Sequence, residues 1–303
     1  MPRHSPFADD CLALAWGAWS ELGVSGWTTT HKAWAVDPEP LILFTAWLAD
    51  RDARLRDEAT DWCIRYERKV SKVRLKNLGR SLPPEVRDAF GVFSATVSAH
   101  IAAAWPDAGG GEPRDYRPTG RSALPSLDRP SLAWLRLRAL FGLGAKTEIL
   151  RLFLTEPHVK MSANTLAQAA GYAKRNVAEE CETLHQAGVL HIRQVGNRFM
   201  YSLARGPALA QFVGGLPEVT PNWTAVFNVA RALAELDEAK EHTSSRTLPV
   251  KARRVLRQIE DDLTDVDAKP VSDAVTGPDL WNAVEDLGAH TLSRWAKGQW
   301  TSR

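Results

Sequence analysis

The chain has little of what catalytic and metal-binding proteins usually display. Its 303 residues include three cysteines, Cys11, Cys63 and Cys181, odd in number and far apart. No Cys-x-x-Cys pair or Cys/His cluster at zinc spacing is present, so neither a zinc site nor a disulfide framework is written into the sequence. Three reduced, buried thiols in a cytosolic protein are the expectation. Gly109-Gly110-Gly111 has no strand before it and no Gly-Lys-Ser after it, which excludes a phosphate-binding loop. Neither Gly-x-Ser-x-Gly nor His-Glu-x-x-His occurs, and the eight histidines are scattered. The sequence therefore predicts no enzyme, no cofactor and no metal. No apolar run approaches the ~20 residues that span a bilayer. The polar start MPRHSPFADD, followed by an amphipathic stretch, gives the expectation of no signal peptide. A cytoplasmic location with no membrane partner is expected.

Net charge is also nearly absent, at +2, but its distribution is uneven. Lys and Arg number 13 against 13 Asp and Glu over residues 1–106, and 4 against 4 over 107–131. Over 132–205 the count is 10 against 5, and over 206–303 it is 11 against 14. A basic module on a neutral body suits a nucleic-acid binder.

What is present is helical periodicity. DDCLALAWGAWSEL (9–22) sets Leu12, Trp16 and Trp19 near one face, with Asp9 and Asp10 at the N-terminus and Gly23 as the stop. GWTTTHKAWAV is a short strand pair or an extended loop. Asp37-Pro38-Glu39 opens a buried helix, with Asp37 as the capping acid. Leu55, Ala59, Trp62 and Tyr66 mark another helix. VSKVRLKNLGR carries a basic face of Lys69, Lys72, Arg74, Lys76 and Arg80, either solvated or in contact with phosphate. Pro83-Pro84-Glu85 opens a helix to about residue 104. Seven of the twelve tryptophans lie in this N-terminal region, as core or as an aromatic cage.

Residues 106–131 hold five prolines and four glycines without apolar periodicity, a linker or a long surface loop. Beyond the next break, three amphipathic helices are expected at 222–239, 248–266 and 278–300. They form a dimerisation or partner-binding unit, or pack on the N-terminal region. The acidic group Glu260, Asp261, Asp262, Asp265 and Asp267 is a solvated helix end or a metal site.

Residues 132–205 carry the functional signal. Helices at 132–142 and 146–156 come first, the former with its arginines outward. Ser162 caps a short helix through Ala170, and Gly171 supplies a tight turn. From Ala173 to Gln186, Val177, Cys181 and Leu184 recur at i, i+4, i+7 and define an inner face. The outer face offers Lys174, Arg175, Asn176, Glu179, Glu180 and Thr183. Lys and Arg reach phosphates or guanine edges, and Asn reads adenine. A glutamate accepts from cytosine N4 or is merely solvated. VLHIRQV and FMYSL are strands around the turn Gly196-Asn197, reversed from the best hairpin pair. Arg193, Asn197 and Arg198 on this wing would reach the backbone or the minor groove.

This segment resembles the bacterial winged-helix transcriptional regulators of the arsenic-repressor and multiple-antibiotic-resistance type, over about residues 146–205. The resemblance rests on Leu166-Ala167-Gln168-Ala169-Ala170-Gly171, on Arg175-Asn176-Val177 through Leu184, and on Ala187-Gly188-Val189-Leu190. It implies sequence-specific binding of double-stranded DNA by a homodimer, with no metal sensing, because the metal-binding cysteine motif is missing. The stretches ELGV, DPE and RLRDEATDW look like those of conserved bacterial proteins of unassigned role that join a helical domain to a winged helix.

The expected fold is mainly α: a helical N-terminal domain (1–106), a Pro/Gly-rich linker (107–131), a winged-helix DNA-binding domain (132–206) and a helical C-terminal region (207–303). The expected DNA contacts are Ser162, Tyr172, Lys174, Arg175, Asn176, Glu180, Arg193, Asn197 and Arg198. The rival expectation is an antitoxin-like or adaptor protein whose N- or C-terminal helices bind a partner protein.

Overall fold

A computed structural model of the chain describes residues 5–26, 31–106, 110–244 and 246–300. Among these, the protein is mainly helical, with fourteen α-helices and one three-stranded antiparallel sheet.

Apart from Glu39 and Thr45, residues 38–48 are apolar on every face, and a helix of that kind must sit in the middle. Helix α2 (Pro38–Leu48) does so, with ten of its eleven residues buried. Around it lie α1 (Pro6–Glu21), α3 (Ala53–Arg65), α4 (Lys72–Gly79) and α5 (Pro84–Ser98). Side chains cap three of these helices. The Ala8, Leu55 and Arg74 N–H groups donate to Ser5, Asp52 and Ser71 at 3.4, 3.0 and 3.2 Å. Of the N-terminal tryptophans, Trp16, Trp19, Trp34, Trp62 and Trp105 are core, and Trp47 packs at its edge. Trp27 lies outside the described residues. Buried indoles need a partner: Trp19 donates to Thr45 Oγ1 at 2.8 Å and Trp62 to the Leu22 carbonyl at 2.7 Å.

The Pro/Gly-rich stretch is no free linker. Its residues 110–126 run without helix or strand as a strap over α3, where Thr119 and Gly120 N–H each donate to Asp61 Oδ1 at 2.7 Å and Ser122 N–H to Oδ2 at 3.2 Å. Nor is the C-terminal region a separate unit. Helices α11 (Trp223–Lys240), α12 (Leu248–Gln258), α13 (Glu260–Asp265) and α14 (Pro278–Ala296) share one buried cluster with α1, α2, α3 and α5. Trp19 ties α1 to α2 and α3, and α11 and α14 cover the rest of its buried surface. The Phe7 ring sits so close to Gly288 that any Cβ there would collide with it. A bidentate Arg51–Glu238 pair at 2.9 Å adds a second tie. The single helix expected at 248–266 breaks at Ile259 into α12 and α13. Two members of the acidic group accept bonds from α11, Asp262 from Asn228 at 3.3 Å and Asp265 from Asn222 at 3.0 Å.

Within 26–36, residues 27–30 lie outside the described residues. Residues 31–34 turn, with Trp34 N–H donating to the His31 carbonyl at 2.8 Å, and the chain then bridges residue 219, with Ala35 N–H to the Val219 carbonyl at 2.9 Å. His31 is 1 % exposed and stacks on Trp34 at 4.7 Å between centroids. Burial lowers its pKa to about 4, although a contact with the Leu14 carbonyl opposes the shift. The unfolded chain takes up this proton near the ordinary value of 6.5. Stability from His31 is therefore full above that pH and falls as pH drops towards 4. The expected loss is about 3 kcal/mol at ~1.36 kcal/mol per pKa unit. Urea unfolding of wild type and His31→Gln between these pH values checks it; parallel curves would refute it.

Residues 132–212 form the remaining layer. They comprise α6 (Ala133–Phe141), α7 (Ala145–Thr155), β1 (Met161–Ser162), α8 (Ala163–Ala170), α9 (Lys174–Gln186), β2 (Leu190–Val195), β3 (Arg198–Leu203) and α10 (Gly206–Phe212). The strand order is β1-β3-β2. Helix α10 was not evident from the sequence, where Pro207 looks like a break. The proline instead occupies the first turn, where its missing N–H costs nothing.

Candidate nucleic-acid interface

Helices α8 and α9 are positioned by local chemistry. Thr165 N–H donates to Ser162 Oγ at 3.2 Å, which starts α8 and uses the Ser162 hydroxyl as a cap. Gly171 ends it with φ +71°, a left-handed conformation open to glycine at little cost. Leu166 and Ala167 of α8 and Val177, Cys181 and Leu184 of α9 bury together with Ile149 and Phe153 of α7. Burial pushes the Cys181 thiol up to about 12, so it is an inert core group. This inner face leaves Lys174, Arg175 and Asn176 exposed on the first turn of α9. No side chain caps that turn at Ala173.

The antiparallel pair β2–β3 closes through a two-residue turn, since Val195 pairs with Arg198. Gly196 takes φ +57° and Asn197 does not have positive φ. That assignment matches a type II′ hairpin, which requires glycine first and explains the reversed order. Leu190, Ile192 and Tyr201 face the helices. Because Arg193 pairs with Met200 and Val195 with Arg198, the pleat puts Arg193 and Arg198 on the opposite face. Both are exposed, as is Asn197 at the tip.

Two expected contacts are placed elsewhere. Tyr172 is half-buried, and its hydroxyl lies 2.8 Å from Ser71 Oγ, pointing to α4 rather than outward. Glu180 turns back to α7 and pairs with Lys146 at 3.4 Å. Glu179 pairs with Arg175 at 2.9 Å on the exposed side, so the outer face of α9 is partly self-neutralised. His185 Nδ1 lies 2.9 Å from the Leu190 carbonyl, whereas His191 is exposed on the strand.

The residues that set this unit on the helical body escaped the sequence. Asp37, Glu39, Arg74, Arg138, Glu148 and Arg151 form a buried, charge-balanced network between α2, α4, α6 and α7. Arg74 bonds Asp37 at 2.6 Å; Arg138 bonds Glu39 at 2.7 Å and Glu148 at 2.9 Å; Arg151 bonds Glu148 at 2.8 Å. Asp37 stands at the N-cap position of α2, but its carboxylate makes no capping hydrogen bond and turns to Arg74 instead, and Arg138 does not face outward. Burial raises the pKa of Glu148, but Arg74, Arg138 and Arg151 outweigh it and hold the carboxyl at about 2. Burial likewise disfavours the charged Asp37, yet Arg74 and Arg151 bring it well below the usual carboxylate range. At Glu39 burial prevails and the pKa is raised. From the same helix as Arg74, Asn77 Nδ2 donates to the Gly171 carbonyl at 2.9 Å, and Arg74 Nε donates to the Ala170 carbonyl at 3.1 Å. A Cβ on Gly171 would lie 2.9 Å from Arg74 Cγ. The turn between α8 and α9 is therefore gripped by α4. Glu148 meets Arg151 three residues on and Arg138 ten residues back, but the ties that join α4 to α2 and to the α8 turn, and α6 to α2, span 35 to 99 residues, and no local pattern links those.

Among the described residues no group of three His, Cys, Asp or Glu is placed to hold a metal ion. No helix among them is long and apolar enough to cross a membrane. No protein-family model, curated protein or solved structure matches this chain.

Proposed function

We propose that the protein binds double-stranded DNA sequence-specifically through a winged helix-turn-helix formed by α7, α8, α9 and the β2–β3 wing. Within that class it acts as a bacterial transcriptional regulator, cytoplasmic and homodimeric. The carrying observation is the division of α9. Val177, Cys181 and Leu184 are buried, while Lys174, Arg175 and Asn176 stand exposed on its first turn. Such a turn can lie in a major groove with its cations towards phosphate and its amide towards a base edge. Arg193 and Arg198 on the outer face of the wing add backbone or minor-groove contacts.

The dimer would not use the apolar faces of α11 and α14, which are occupied within the chain. Leu140, Leu143 and Phe212 are exposed instead, Phe212 at 67 %. The same side chains favour the second reading, an adaptor that holds a partner protein there.

Duplexes selected from a random-sequence pool on the intact protein test the first reading. The expected result is enrichment of a pseudo-palindromic site, with affinity that falls steeply with salt. No enrichment and no salt-dependent binding would leave the adaptor.

A further inference from the structure

We infer that the outward edge of α4, through Lys76 and Arg80, contacts DNA phosphates beside those reached by α9. This deepens, and rests on, the DNA-binding reading above.

The first ground is the fate of the motif's positive charge. Residues 132–205 carry ten Lys and Arg against five Asp and Glu. Arg138 and Arg151 are not available to a ligand, because they are sunk against Glu39 and Glu148. Arg175 and Lys146 are paired with Glu179 and Glu180. The recognition unit therefore offers fewer free cations than its composition suggests.

The second ground is what lies beside it. Residues 65–80 contain seven Lys and Arg and a single acid, Glu67. That acid is paired with Lys72 at 3.4 Å. Arg74 is buried, but Lys76 and Arg80 are exposed. Neither has an ion-pair partner among the described residues; Arg80 donates to Asn77 Oδ1 at 3.3 Å. The rest of the N-terminal region is acidic on balance, so the basic edge is local.

The third ground is position. At 100° per residue, Ser71, Arg74 and Asn77 share the face of α4 that meets residues 170–172. Val73, Lys76 and Arg80 form the adjoining solvent face. Gly171, gripped by Asn77, is three residues before Lys174, at most ~10 Å of extended chain. Successive phosphates of one strand advance ~3.4 Å along the duplex. The Asn77 face of α4 is thus within ~10 Å of the first turn of α9, and the proposal sets the adjoining edge against phosphates further along the same backbone. The buried network also fixes its orientation beforehand, so little ordering is needed on binding. Phosphate is the ligand proposed for them: they are cations at the edge of a short, well-anchored helix that lies beside, not on, the first turn of α9 assigned to the groove.

The test is fluorescence anisotropy of a selected duplex and a scrambled one, titrated with the intact protein from ~50 to ~200 mM salt. Lys76→Gln/Arg80→Gln should lower the slope of log affinity against log salt by about 2, at ~0.9 per phosphate. Affinity for both duplexes should fall by one to two orders of magnitude near ~0.1 M salt, with their ratio unchanged. The charge-retaining pair Lys76→Arg/Arg80→Lys should restore slope and affinity. If Lys76→Gln/Arg80→Gln keeps the wild-type slope while Lys174→Gln/Arg175→Gln loses it, the α4 contact is wrong and DNA binding stands. A changed ratio between the two duplexes would also overturn the phosphate assignment. If the intact protein binds neither duplex with salt dependence, both inferences fall together.

Discussion

Arg138→Met will destabilise the protein by about 3–5 kcal/mol, the usual effect of removing one partner from a buried ion pair. Arg138 bridges Glu39 and Glu148, both essentially inaccessible to solvent. Its loss leaves three buried carboxylates, those of Asp37, Glu39 and Glu148, facing two guanidinium groups, Arg74 and Arg151. A surplus negative charge away from water is the expensive outcome, not the missing hydrogen bonds. Against the 5–15 kcal/mol of a typical protein, that is a large fraction of the whole. A second change should reverse part of it. Glu148→Gln in the same chain removes the surplus charge, so the double variant should be more stable than Arg138→Met alone. Urea unfolding of the two variants and wild type provides the check. A loss below about 1 kcal/mol would mean that the network is open to water and the two layers are held by other contacts.

The acid response follows from the same groups. Glu148 has its pKa lowered from 4.5 to about 2, so its contribution is full above the ordinary value and lost as pH falls towards 2. Asp37 acts in the same direction and Glu39 in the opposite one. Acid should therefore loosen the junction between the helical body and the α6–α9 layer, with Glu39 softening the effect.

Arg175→Ala/Asn176→Ala should abolish sequence preference in DNA binding while leaving thermal unfolding nearly unchanged. Both side chains are exposed, Arg175 at 87 %, and the fold asks little of either. The Arg175–Glu179 pair is a surface i,i+4 contact of the kind that contributes little to stability. In the groove the balance is different. Each good bidentate base contact discriminates by roughly tenfold to a hundredfold, so losing two should bring the selected duplex near the scrambled one. Residual binding should persist through Lys174, the wing arginines and the edge of α4. A selected-site preference that survived this change would place the recognition surface elsewhere.

The sequence determined the elements wherever the cause was local. Periodicity marked α1, α9 and α11; Gly171 and Gly196 marked the turns; Ser162 marked a cap. The outer face of α9 was legible because an inner face at i, i+4, i+7 fixes its opposite. Partner choice was not legible. The strap over α3 looked like a linker because its hydrogen bonds go to Asp61, some sixty residues away. The C-terminal helices looked independent because an amphipathic stripe states that something covers it, not which element does.

Charge was the least readable property. Arg138 looks like an outward arginine of the basic segment, and Asp37 like a capping acid. Tertiary structure turned both side chains inward, into one charge-balanced network. Coulomb energy depends on distance and on the surrounding dielectric, and neither is present in a one-dimensional chain. The sequence by itself determined which residues of α9 lie on its exposed face. Only tertiary structure decided which cations are left unpaired, because pairs such as Arg138–Glu39 join residues far apart in the chain.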